Sequence, residues 1–264
     1  MKRAWWLLVV GATMLVGSGC VGLAGAGPTT AATPPPTARL APSPTPTPTV
    51  VWFPPTATFT PLPPTPAPSP TPDLAAEAGP PLLASPLSSA AGWGALNPAA
   101  GRFGVAQGVL TLTVTAARGS LLVLRTDATA YNVYLTVEAA PQICRDDDAY
   151  GLVLRSTANA SRYYRLGLTC RGQAFVEVVS GGVPVPRGEP RLAGVPSGAP
   201  VRARLSVRAQ KRQLLFAVNG HTLFTIHDDL PRADHFGFFA RAAGADGMSV
   251  GFQSLEIRSL PPSP

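Results

Sequence analysis

Residues 201–226 read VRARLSVRAQKRQLLFAVNGHTLFTI, and this stretch decides the fold of the chain. From residue 201 to residue 208 apolar side chains alternate with arginine and serine, which is the period of a β-strand with one buried face. Two further apolar runs then flank Asn219-Gly220, a pair that tolerates the positive φ angles of a tight hairpin turn. The stretch therefore predicts three consecutive antiparallel strands.

The same two-residue period recurs through the second half of the chain, where no segment keeps the 3.6-residue period of a helix. It predicts further strands at residues 109–115, 120–126, 131–139, 150–156, 162–170, 174–180, 235–242 and 248–258. About a dozen short strands at spacings of roughly 8 to 12 residues are typical of a sandwich or jelly roll. The sequence predicts an all-β, two-sheet antiparallel sandwich over residues 88–260.

The segment before this domain has a different composition. Seventeen of the 31 prolines lie between Pro28 and Pro72, and no charged residue occurs between Arg39 and Asp73. Such a segment cannot bury a core and favours extended polyproline II. We therefore expect residues 21–87 to form a disordered Pro/Thr-rich linker, a stalk for the domain, and residues 261–264 to form a disordered tail.

The first twenty residues predict export. Lys2 and Arg3 precede an apolar run, and small residues lead up to Cys20, which is the layout of a secretory signal. With a cysteine at that point, residues 1–20 resemble the signal of a bacterial lipoprotein. The resemblance implies that Cys20 carries lipid and anchors the chain in a membrane, on the outer side of the cell. An ordinary cleaved signal and an uncleaved membrane anchor are the two alternatives.

Cys144 and Cys170 predict a disulfide. An exported domain folds in an oxidising compartment, and these two of the three cysteines remain once Cys20 is set aside. An antiparallel hairpin around Asn159 would bring them together. The three histidines show no ligand spacing with the cysteines, which argues against a zinc site.

The charge pattern argues against nucleic-acid binding. The net charge of +7 comes almost entirely from arginines that are scattered along the predicted strands. They form no cluster and are not interleaved with aromatic residues in the way that single-strand binders require.

Several of the predicted strands carry a family resemblance. The runs that carry it are AYGLVLR at 149–155, RYYRL at 162–166, LFAVNG at 215–220, HFGFFA at 235–240 and VGFQSLEI at 250–257. They resemble strands of the concanavalin-like jelly rolls, closest to the laminin-G-like and 3-keto-disaccharide hydrolase-type domains, over about residues 93–260. The resemblance implies a sandwich with a concave face that such domains often use for glycans, and it does not imply catalysis.

Tyr150, Arg155, Tyr163 and Arg165 are the candidate ligand-binding residues, because a sugar site combines aromatic rings with hydrogen-bonding side chains. We expect a surface-anchored module that binds carbohydrate, with a cell-wall polymer among the candidate ligands. One alternative is a structural or protein-interaction module. The other is a sugar hydrolase of the 3-keto-disaccharide hydrolase type, although the sequence offers no pair of carboxylates in a known catalytic spacing.

Two acidic loops complete the candidate sites. Asp146, Asp147 and Asp148 form an acidic run, and carboxylate oxygens are the ligands that calcium prefers. Calcium there is the one cofactor that the sequence suggests, and the alternative is a solvated loop beside the disulfide. Asp228 and Asp229 are interpreted as part of a solvated turn.

Overall fold

A computed structural model describes residues 73–84 and 86–261 of the chain. The predicted signal with Cys20, most of the predicted stalk and the last three residues lie outside this part. The described residues form fifteen strands and one short 3-10 helix, Pro98–Ala100. The strands are β1 (Trp93–Ala95), β2 (Gly101–Ala106), β3 (Val109–Val114), β4 (Ser120–Arg125), β5 (Val133–Ile143), β6 (Ala149–Ser156), β7 (Arg162–Thr169), β8 (Gln173–Ser180), β9 (Val183–Pro186), β10 (Arg191–Leu192), β11 (Ala203–Gln210), β12 (Gln213–Val218), β13 (His221–His227), β14 (His235–Arg241) and β15 (Met248–Ser259). Among them there is no helix of the length and apolarity that crossing a membrane requires.

These strands form two antiparallel sheets that pack as a sandwich. The eight-stranded sheet has the order β1-β4-β14-β6-β7-β8-β10, and β9 also pairs with β8. The seven-stranded sheet has the order β13-β12-β11-β5-β15-β3-β2. The prediction of an all-β, two-sheet antiparallel sandwich is therefore confirmed.

The main hydrophobic core lies between the two sheets, because each strand turns alternate side chains inward. In β11, Leu205 and Val207 are fully buried while Arg204 is exposed, as the alternation predicts. At the centre of the core, the Phe238 ring lies 4.4 Å from that of Phe252 and 5.3 Å from that of Trp93, between centroids. Burying each of these large side chains contributes roughly 1.5–3 kcal/mol to stability.

Two local predictions are confirmed in detail. Asn219 and Gly220 have φ angles of 49° and 83° and form the turn between β12 and β13. Cys144 and Cys170 form a disulfide with their Cα atoms 5.6 Å apart. The bond closes the ends of β6 and β7, which pair as an antiparallel hairpin.

Residues 73–84 and 86–87 pack against the sandwich, which differs from the prediction that the linker runs to residue 87. Leu74 and Leu87 are buried. Arg208 on β11 donates hydrogen bonds to the carbonyl oxygens of Leu74 and Ala76. The composition of the segment did not indicate these contacts, because the few leucines that pack against the sheet lie among many alanines and prolines.

Candidate functional site

The outer face of the eight-stranded sheet carries a second apolar cluster, on the side away from the main core. Its members come from β4, β6, β7, β8 and β14, and each lies one residue out of phase with the inward-facing side chains. They are Leu122, Leu124, Ala149, Val153, Tyr163, Phe175, Val179 and Phe239. Each member is at most 8% exposed, so the cluster is a small second core beneath the outer surface of this sheet.

Phe239 occupies the centre of this face and is fully buried. A glycine opposite it, Gly167, makes the room, since a Cβ there would lie 2.7 Å from the Cζ atom of Phe239. The Phe175 ring meets Phe239 edge-on, with 6.2 Å between centroids. The result is a packed aromatic floor under the polar side chains of the same face.

A groove of about 450 Å³ lies on the same outer face, and we call it the Tyr163 groove. The β8–β9 hairpin forms one side of it, and the loop after β1 and the β6–β7 turn form the others. Its lining includes Leu96, Asn97, Ser120, Leu122, Asn159, Tyr163, Arg165, Pro184 and Arg241. The groove thus combines an apolar floor with a few polar groups, which is the usual make-up of a small-ligand site.

The protein supplies hydrogen-bond partners for some polar groups of the groove and not for others. Arg165 donates two hydrogen bonds to the Oε2 atom of Glu177, and its guanidinium carbon lies 5.2 Å from the Phe239 ring centroid. Burial raises the pKa of Tyr163, and its hydroxyl has no hydrogen-bond partner among the described residues. Asn159 accepts with Oδ1 from the backbone N–H of Ser161, at 3.1 Å. Donors therefore remain for a ligand.

The structure divides the four predicted ligand-binding residues into two pairs. Tyr163 and Arg165 line the groove, on the shared face that strand alternation predicted. Tyr150 is 1% exposed and lies in the main core, where burial raises its pKa. Arg155 is 2% exposed. The prediction that Tyr150 and Arg155 belong to the ligand site is therefore corrected, because neither side chain reaches the surface.

Arg155 is buried because a bulge breaks the alternation of β6. Its φ angle is 53°, and the register between β6 and β14 shifts beside it. Its guanidinium carbon lies 3.3 Å from the centroid of the Tyr131 ring, and its Nε lies 3.5 Å from Oδ2 of Asp228. Asp228 is itself only 2% exposed, so its interpretation as part of a solvated turn was wrong.

The three aspartates of the acidic run also differ in burial. Asp148 is buried, and its carboxylate accepts hydrogen bonds from the backbone N–H groups of Arg145 and Ala243 at 2.9 and 2.7 Å. Asp146 and Asp147 are exposed and pair with Arg171. In residues 73–84 and 86–261, no three His, Cys, Asp or Glu side chains are placed to share a metal ion. Calcium binding stays a prediction.

A second groove, of about 620 Å³, lies on the outer face of the seven-stranded sheet. Residues 73–75 form part of its wall, and the ion pair between Arg202 and Glu138, at 2.8 Å, lies within it. It holds none of the residues that the sequence indicated. The Tyr163 groove is the better candidate, because it joins the ring and hydroxyl of Tyr163 to apolar side chains and to the charge of Arg241.

Sequence reasoning missed Arg241 and Asn97. Arg241 ends β14, opposite Ser120 on β4, and only the strand order brings that pair beside Tyr163 on β7. Asn97 reaches the rim from the loop after β1, where its Nδ2 donates to the carbonyl oxygen of Ser120 at 3.1 Å. The period-two pattern around Arg241 indicates an outward side chain but not the neighbours that it meets.

Comparison with known proteins gives the fold. No protein-family model matches the chain, and no curated protein matches it. Among solved structures, a protein of unknown function with a galectin-like fold from Bacillus subtilis is similar to it, with a TM-score of 0.52, 13% identity and coverage of 69% of this chain and 97% of that one. Carbohydrate-binding module CBM66 from Bacillus subtilis aligns with a TM-score of 0.49 and 17% identity, over 64% of this chain and 96% of that one. At such identities the first likeness establishes a galectin-like sandwich and no more.

Proposed function

We propose that the domain is a carbohydrate-binding module and that the Tyr163 groove is its binding site. The observation that carries the proposal is that one groove joins the apolar side chains of Leu122 and Val179 and the ring of Tyr163 to the polar groups of Tyr163, Asn159 and Arg241. A sugar ring offers an apolar C–H face and a rim of hydroxyls, and such a groove suits both. The galectin-like fold agrees with this proposal.

A substitution that fills the groove tests whether the sugar binds there. Ser120 lines the groove and is only partly buried, so Ser120→Trp would place a large ring where the sugar binds. We expect at least a tenfold loss of affinity for the best polysaccharide of a broad panel, measured by affinity electrophoresis with the full chain in detergent. Running the panel with and without a calcium chelator also tests the calcium prediction at Asp146–Asp148.

The matched control is Thr111→Trp, because Thr111 lies on the outer face of the seven-stranded sheet and is also partly buried. It should bind like the unmodified chain. Equal binding by the Ser120 variant would place the sugar elsewhere. No binding by the unmodified chain would end the proposal and favour a protein partner for the exposed Val183, Val185 and Leu192 beside this face.

We further propose that the chain is exported and anchored through lipid on Cys20, so that the module acts outside the cell. The order of a basic start, an apolar run and a cysteine supports this. Cells that express the chain should incorporate labelled palmitate into it, and Cys20→Ser should abolish the label. In this proposal the lipid is the membrane anchor, so its loss should also release much of the protein from the membrane. Label that persists in the variant would contradict lipidation at this residue.

A further inference from the structure

Arg241 is the charged group of the Tyr163 groove that the protein leaves without a counter-ion. Arg165 has Glu177 as its partner. Arg241 makes no ion pair among the described residues, and its buried Nε has no hydrogen-bond partner there. Its guanidinium carbon lies 5.9 Å from the centroid of the Phe175 ring, over the aromatic floor. Arg241 as a whole is only partly buried, and no hydrogen bond engages its terminal N–H groups among the described residues, so a ligand in the groove can supply the acceptors that the guanidinium lacks.

The electrostatics of the face agree with this. Burial lowers the pKa of Arg241, and the neighbouring charge of Arg165 lowers it further. The nearby carboxylate of Asp148 is already bonded to backbone N–H groups, and Asp147 pairs with Arg171. Two guanidinium groups, Arg165 and Arg241, therefore line the groove, and the one carboxylate that pairs with either of them among the described residues is Glu177, at Arg165. The groove has an excess of positive charge that a ligand can neutralise.

We propose that the Tyr163 groove selects an anionic sugar, with Arg241 pairing to the carboxylate of a uronic acid residue. This inference rests on the proposed function and adds the class of ligand. A guanidinium suits a carboxylate because its fork of N–H donors can form two parallel hydrogen bonds to the two oxygens. Tyr163, Leu122 and Val179 then contact the sugar ring itself.

The test compares polymers that differ only in charge. The full chain is measured by affinity electrophoresis against polygalacturonate and its methyl ester, and against dextran sulfate and dextran, at low and physiological salt. We expect polygalacturonate to bind at least tenfold more tightly than the ester. Arg241→Gln should reduce that preference to about twofold or less, because it weakens binding of polygalacturonate far more than binding of the ester. Arg241→Lys, which keeps the charge without the fork, should recover part of the preference.

The control is Arg102→Gln, which removes the same charge from an exposed position on β2 in the other sheet. It should keep the full preference, and a loss equal to that of the Arg241 variant would mean that net charge alone attracts the polymer. Binding of dextran sulfate without polygalacturonate would replace the carboxylate by a sulfate and overturn the assignment. Equal binding of both polygalacturonate forms overturns the inference and leaves the proposed function standing, whereas no binding of any polymer removes both.

Discussion

Asp228→Asn should destabilise the protein by about 3–5 kcal/mol, because it leaves the charge of Arg155 buried without a counter-ion. The two side chains are 2% and 1% exposed, and Nε of Arg155 lies 3.5 Å from Oδ2 of Asp228. Burial lowers the pKa of Arg155, while Tyr131 and Asp228 oppose that shift. Chemical denaturation of the variant against the unmodified chain measures the loss directly.

Asp229→Asn is the matched control, one residue away. Asp229 pairs with Arg187 at 3.1 Å, but the two side chains are 51% and 36% exposed, so the substitution should change stability by less than about 1 kcal/mol. The double variant Arg155→Met with Asp228→Asn removes both charges and should recover most of the loss. A loss below about 1 kcal/mol in Asp228→Asn would show that the pair is solvated.

This pair also shows where sequence reasoning stops. Alternation correctly assigned the two faces of strands such as β11, because one of its faces carries the apolar side chains and the other carries arginine and serine. Arg155 continues that pattern in the sequence, yet the positive φ at the residue turns its side chain toward Asp228. A single bulge is not visible in a hydrophobic pattern, and it moved Arg155 from a predicted surface site to the interior.

For a related reason, the sequence indicated Tyr163 and Arg165 of the candidate site but not Arg241. Tyr163 and Arg165 are two apart on one strand, so their shared face follows from local geometry. Arg241 lies far away in the chain, and it joins them only because β14 and β6 lie between β4 and β7 in the sheet. Strand order depends on the packing of the whole domain, so no local pattern in one sequence contains it.

Replacing both Cys144 and Cys170 by alanine should destabilise the domain by roughly 3–3.5 kcal/mol. The disulfide closes a loop of 26 residues, and the released loop entropy of the unfolded chain gives that magnitude. For a domain of this size the loss corresponds to a melting temperature lower by about 7–14 °C. Thermal and urea denaturation of the full chain measure it, with the unmodified protein under reducing conditions as a second comparison.

The effect should depend on the bond and not on the loss of thiol groups. Both cysteines are buried at the ends of one hairpin, β6–β7, and alanine keeps these positions apolar. The reduced unmodified chain should therefore match the double variant within about 1 kcal/mol, and the single variants should match it too. Because the Tyr163 groove borders the β6–β7 turn at the opposite end of that hairpin, we expect sugar affinity to stay within about threefold while the fold persists. A reduced protein as stable as the oxidised one would show that strand pairing alone holds the hairpin ends together.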